Sequence, residues 1–72
     1  MKTLRQMRND LVLTQEQVAE GVGLSRDHYN RIERGHHMPR QPIIHNLAEF
    51  FGVGVVGLRD HLLEQTQGTT KA

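Results

Sequence analysis

Four arginines, Arg26, Arg31, Arg34 and Arg40, fall within residues 25–40 against two carboxylates, Asp27 and Glu33. A guanidinium is a planar fork of N–H donors that matches a phosphate or the O6/N7 edge of guanine. His28, His36 and His37 share the window and add positive charge only at lower pH. The whole chain carries a formal charge of +1, so it is the distribution of charge that points to a partner. An ordinary solvated helix face has the same composition, and the cluster alone does not separate the two. Other chemistry finds no residues. There is no nucleophile–base–orienter set, no phosphate loop and no paired acid/base carboxylates, so the chain is not expected to be an enzyme. Cysteine is absent, which excludes disulfides and thiolate metal sites. His28, His36, His37, His45 and His61 contain no H-x3-H pair, so no metal and no cofactor are expected.

The arginine window lies on two helix patterns within residues 13–35. Thr14 is a good N-cap, and Gln17 completes a T-x-x-Q capping box. Val18, Ala19 and Val22 share one helical face, and Gly23 follows, where the chain must take positive φ. Leu24 plugs the turn, Ser25 caps the next helix, and Tyr29 and Ile32 are its inward pair. Gly35 is the second stop. A helix, a turn of about four residues and a second helix form a helix-turn-helix. Around it, Leu4, Met7 and Leu11 mark a first helix over residues 3–10. Pro42 suits the N1 position of a fourth, with Gln41 as its cap and Ile44, Leu47, Ala48 and Phe51 on its buried face. Val55, Leu58 and Leu62 mark a fifth over residues 55–65. Gly21, inside the second helix, is a weakness of about 1 kcal/mol with no evident reason. Seventy-two residues make one small domain, residues 1–65, followed by a polar stretch, 66–72, expected to be disordered.

These pieces resemble the lambda-repressor-like, Cro-type helix-turn-helix family, often called Xre. The resemblance rests on Leu13-Thr14-Gln15, Val18-Ala19, Gly23-Leu24-Ser25, Arg31-Ile32-Glu33-Arg34-Gly35, Pro39, Leu47-Ala48 and Phe51-Gly52-Val53, in order and at the family's spacing. It implies an all-α fold of five short helices with the helix-turn-helix as helices 2 and 3. It also implies a semi-buried pair between Arg8 and Glu33, tying the first helix to the end of the third. Truncating one partner of such a pair should cost roughly 3 kcal/mol or more. Two residues depart from the family pattern. Val12 stands where glycine is usual, and a β-branched residue resists positive φ, so a different turn is expected there. Tyr29 replaces a smaller aliphatic, and its hydroxyl needs a partner, water or a phosphate.

The third helix is the expected recognition helix, and the N-terminal half of such a helix reads base edges in the major groove. Arg26 and Arg31 suit guanine. Asp27 suits cytosine N4 or orients either arginine, and Asn30 suits adenine at a less favourable angle. Gln15, in the first turn of the second helix, is placed to complete a phosphate clamp with unpaired backbone N–H groups; it is otherwise a solvated first-turn residue. Ser25, His28, Tyr29, His36, His37 and Arg40 join it as candidate phosphate contacts, the last three because the family's loop here runs beside the backbone.

Phe50, Val53, Val56 and Leu63 remain after the core is filled, and suggest a homodimer face. The alternative is a thin core or scattered exposure. Sequence-specific double-stranded DNA binding is therefore expected, with repression by a dimer that occludes a promoter at a pseudo-palindromic operator. A competing role is protein interaction through the same apolar patch, as in an antitoxin or a bridging coactivator. The absence of an apolar leader or spanning run suggests a cytoplasmic, nucleoid-associated protein with no membrane partner.

Overall fold

Hydroxyl caps open the first three helices. Thr3, Thr14 and Ser25 accept from the backbone N–H of Gln6, Gln17 and His28, and the first two complete capping boxes with the Gln6 and Gln17 side chains. Each such cap stabilises its helix by about 1 kcal/mol. In the computed structural model, which describes residues 1–70 and the side chains of residues 1–66, these helices are α1 (Leu4–Asp10), α2 (Gln15–Val22) and α3 (Arg26–Glu33). They are followed by α4 (Gln41–Phe51) and α5 (Val55–Thr70). The fold is all-α, with α2 and α3 as the helix-turn-helix. The cap of α4 is Arg40, which makes no side-chain capping bond, so Gln41 is the first helical residue rather than the cap and Pro42 is the second rather than the first. The fifth helix passes the boundary expected at residue 65: Thr66 Oγ1 donates to the Leu62 carbonyl, and the turns continue to Thr70. Lys71 and Ala72 lie outside the described residues.

Helices α1 to α4 all stop in the same way. The N–H groups of Leu13, Leu24, His36 and Val53 reach back to the carbonyls of Arg8, Ala19, Arg31 and Ala48. Those of Val12, Gly23, Gly35 and Gly52 close the inner bond, to Asn9, Glu20, Ile32 and Glu49. This paired closure is the Schellman motif, and it requires a left-handed residue at its centre. Three of the four are glycine; the fourth is Val12, at φ 56°. The different turn expected from valine does not form. The family's turn is kept, and the branched side chain, 89% exposed, carries the strain.

One core joins all five helices. Leu4 and Met7 of α1, Val18, Ala19 and Val22 of α2, and Tyr29 and Ile32 of α3 meet Ile44, Leu47 and Ala48 of α4 and Leu58 and Leu62 of α5. Leu11, read as part of the first stripe, is instead 52% exposed, because α1 ends at Asp10 and the turn swings it outward. Gly21 has a packing reason after all. A Cβ there would lie 2.6 Å from Phe50 Cε2, so the missing side chain is what lets the Phe50 ring lie against α2.

Two substitutions test these points. Val12→Gly should raise unfolding free energy by about 0.5–1 kcal/mol, net of glycine's larger unfolded-state entropy, a gain readable as a higher thermal midpoint. Gly21→Ala should fail to deliver the helix-propensity gain of about 1 kcal/mol in the native background and deliver it once Phe50 is alanine. Equal effects in both backgrounds would show that the ring does not constrain Gly21.

Candidate nucleic-acid interface

Helix α3 is held by its apolar side and presents its polar side. Tyr29 and Ile32 are essentially without solvent exposure, which fixes the rotation of the helix about its axis. Arg26, Asp27 and Arg31 are then all exposed on the opposite side. Neither arginine is turned inward or masked by α5. Arg31 Nη2 lies 3.4 Å from Asp27 Oδ2 one turn earlier, with both side chains mostly in solvent. Such a pair adds little stability, but it aligns the guanidinium along the helix, the orienting role considered for Asp27. Arg34 is exposed at the helix end.

Beneath this face lies a charged network. Arg8 Nε donates to Glu33 Oε2 at 2.9 Å and Nη2 to Oε1 at 3.1 Å, with side-chain exposures of only 13% and 5%. Arg8 Nη1 also donates to the Leu13 carbonyl at 3.0 Å. Gln15 Nε2 donates to Glu33 Oε1 at 3.0 Å, and Gln15 Oε1 accepts from Asn30 Nδ2 at 3.2 Å. Burial pushes the Glu33 carboxyl upward, but donors from Arg8 and Gln15 outweigh it and hold the group below the usual carboxylate range. The Arg8–Glu33 link is thus present as the family resemblance implied.

The network changes the position of three expected DNA contacts. Tyr29 cannot reach a phosphate: it is completely buried, and its hydroxyl sits beside the Arg8–Glu33 pair without a well-formed hydrogen bond. Burial, reinforced by the Glu33 charge, raises the phenol well above its ordinary value, so it stays protonated. Gln15 is half-buried, with one amide hydrogen committed to Glu33 and its carbonyl oxygen to Asn30. Asn30 turns toward Gln15 instead of lying in the row of Arg26, Asp27 and Arg31.

The remaining candidates line the edges of α3. Thr14, Gln15 and Arg26, with the Glu16 carboxylate at the side, border an open recess of about 460 Å³ above the first turn of α2. Ser25 is exposed, its hydroxyl oxygen accepting from His28. The His28 and His37 rings meet edge to face at 4.7 Å, beside a largely apolar recess of about 420 Å³ that Arg40 also borders. His36 and Arg40 are exposed. Among the described residues no cluster of three or more histidine or acidic side chains is arranged to hold a metal, and no helix is long and apolar enough to cross a membrane.

Two tertiary ties escaped the sequence reading. Asn46 Nδ2 donates to the Val22 carbonyl, and Gln65 Nε2 to the Glu33 carbonyl, so α4 and α5 close the ends of α2 and α3. Gln65 follows Leu58 and Leu62 at helical spacing, and that register was the available signal. The four residues assigned to a dimer face divide. Phe50 and Val53 pack against the core; Val56 is 70% exposed and Leu63 is half-buried.

A family model described as a helix-turn-helix domain matches residues 2–62. The chain belongs to the helix-turn-helix domain family. It is 34% identical over 55 residues to the cryptic phage CTXphi transcriptional repressor RstR of Vibrio cholerae, covering 76% of this chain and 50% of that protein. It is 40% identical over 53 residues to an uncharacterized HTH-type transcriptional regulator of Methanothermobacter thermautotrophicus, covering 72% of this chain and 77% of that one. The chain thus spans about half the length of the first of these relatives. No solved structure matches it significantly.

Arg8→Met should lower unfolding free energy by about 3–5 kcal/mol, since it leaves Glu33 charged and poorly solvated; urea denaturation measures this, and a loss under about 1 kcal/mol would mark the pair as an ordinary surface contact. The depressed Glu33 value also sets a pH dependence. Its stabilisation is complete above the unfolded carboxylate value near ~4.3 and disappears as pH falls through the folded value. Native protein should therefore lose more stability between neutral and strongly acidic pH than a Glu33→Gln variant does.

Proposed function

We propose that this chain binds double-stranded DNA sequence-specifically, with α3 in the major groove, and that it regulates transcription, most simply by blocking a promoter. The single observation that carries the reading is the row of exposed Arg26, Asp27 and Arg31 side chains on a helix whose rotation Tyr29 and Ile32 lock. A helix fixed in this way offers guanidinium forks to guanine edges without first having to order itself. Gln15 and Arg26, around the recess at the first turn of α2, supply donors for a backbone phosphate where the helix dipole also favours an anion. Ser25, His28, His36, His37 and Arg40 extend the contact along the backbone. Repression is the reading favoured by the relative named a transcriptional repressor.

A homodimer completes this reading. Exposed Val56 and half-buried Leu63 lie on the same helix, α5, and a two-fold contact there would set two copies of α3 about 34 Å apart, one turn of DNA. Phe50 and Val53 contribute less than their composition suggested, because they serve the core. The competing role, a protein-interaction module, would use the same α5 surface and leave the arginine row unused.

Selection from random DNA gives the site, after which Arg31→Ala should relax preference at one base pair by about 1–3 kcal/mol. Affinity should fall with salt at a log–log slope of about −0.9 for each phosphate neutralised. Salt-independent binding, or no enriched site, would reject the DNA reading. Sedimentation of free and site-bound protein tests the dimer, and a monomer in both states removes it.

A further inference from the structure

Resting on the DNA-binding reading above, we infer that Asn30 is a positioning residue for the Gln15 phosphate contact and reads no base itself. The inference follows from which atoms can face each other. Glu33 is buried beside Arg8 and bonded to it twice, so it is an ionised carboxylate that only accepts hydrogen bonds. The Gln15 atom 3.0 Å from Glu33 Oε1 must therefore be the nitrogen. Its carbonyl oxygen then faces α3, where only a donor is tolerated, and Asn30 turns Nδ2 to it at 3.2 Å. Glutamine and asparagine amides are nearly isosteric on reversal, and either would otherwise flip. Here every joint from Arg8 through Glu33 and Gln15 to Asn30 permits one direction only.

What remains unspent is one Gln15 N–H, on the residue that borders the recess shared with Thr14 and Arg26. Glu33 selects which end of the amide can face it but does not stop the side chain from swinging off the carboxylate, and an amide swung away can present its carbonyl to a phosphate, where two acceptors repel. With Asn30 holding the carbonyl while Glu33 holds the nitrogen, the donor edge is set before DNA arrives. The relay thus couples the middle of the recognition helix to the backbone clamp on the preceding helix, and fixes where α3 sits relative to the phosphates.

The test measures affinity of native protein, Asn30→Ala, Gln15→Ala and the double variant for the selected site, for each of its single-base substitutions and for random-sequence duplex. Asn30→Ala should weaken binding roughly three- to tenfold on every duplex alike, the scale of one hydrogen bond. The base preferences should not change, nor should the salt slope, because a neutral amide releases no counterion. In the Gln15→Ala background the same substitution should have no further effect. Relaxed preference at a single base pair would make Asn30 a base reader and overturn the inference. So would additive losses in the double variant, unchanged affinity, or a drop in thermal midpoint that accounts for the weakening. Failure of the native protein to bind any duplex would instead overturn the DNA reading, which separates the two.

Discussion

The buried carboxylate of Glu33 is the constraint on which the rest of this structure depends. It lies where α1, the start of α2 and the end of α3 converge, and a charge so placed is tolerated only if donors reach it from all sides. Arg8 supplies two, Gln15 a third, and the chain must bring α1 and α2 close enough to do so. The same arginine controls the turn between those helices. Its carbonyl accepts from Leu11 and Leu13 while its Nη1 donates back to the Leu13 carbonyl. Val12 is therefore enclosed by bonds that hold the left-handed conformation valine resists. The strain at that residue is held by the helix closure itself, to which the paired arginine adds one further bond.

From this anchor the presentation of α3 follows. Glu33 is its last residue, Tyr29 and Ile32 are its buried side, and Ser25 sets its start. Three fixed points leave a helix no freedom to roll, so the outward direction of Arg26 and Arg31 results from what happens on the hidden face. The preorganisation is economical: the polar face needs no mutual contacts beyond the weak Asp27–Arg31 pair, and most of its donors stay available to a ligand.

Apolar surface is distributed less generously than composition implies. With Gly21 under its ring, Phe50 packs across α2 and against Phe51 edge-on at 5.1 Å, and Val53 also turns to the core. A glycine that weakens α2 locally allows an aromatic residue of α4 to pack where any side chain would keep it away. The apolar surface that Phe50 and Val53 leave exposed is correspondingly narrower.

Most of the architecture was legible in the linear chain. Thr14 with Gln17, Ser25, the stops at Gly23 and Gly35 and the stripe from Val18 to Val22 each act over four or five consecutive residues, and such signals survive translation into structure because their partners are covalently near. The arginine row was legible for the same reason, since burying Tyr29 and Ile32 dictates which way Arg26 and Arg31 face. What only the tertiary structure decided involves partners far apart in sequence. The purpose of Gly21 lies in Phe50; the fate of the Tyr29 hydroxyl lies in a pair that Arg8 of α1 makes with the end of its own helix. The direction of the Gln15 and Asn30 amides, 15 residues apart, follows from a carboxylate that Arg8 reaches across 25. Long polar side chains have many rotamers and no periodicity. Local sequence therefore names such residues as donors and acceptors, and the packing of helices around one buried charge selects which atom meets which.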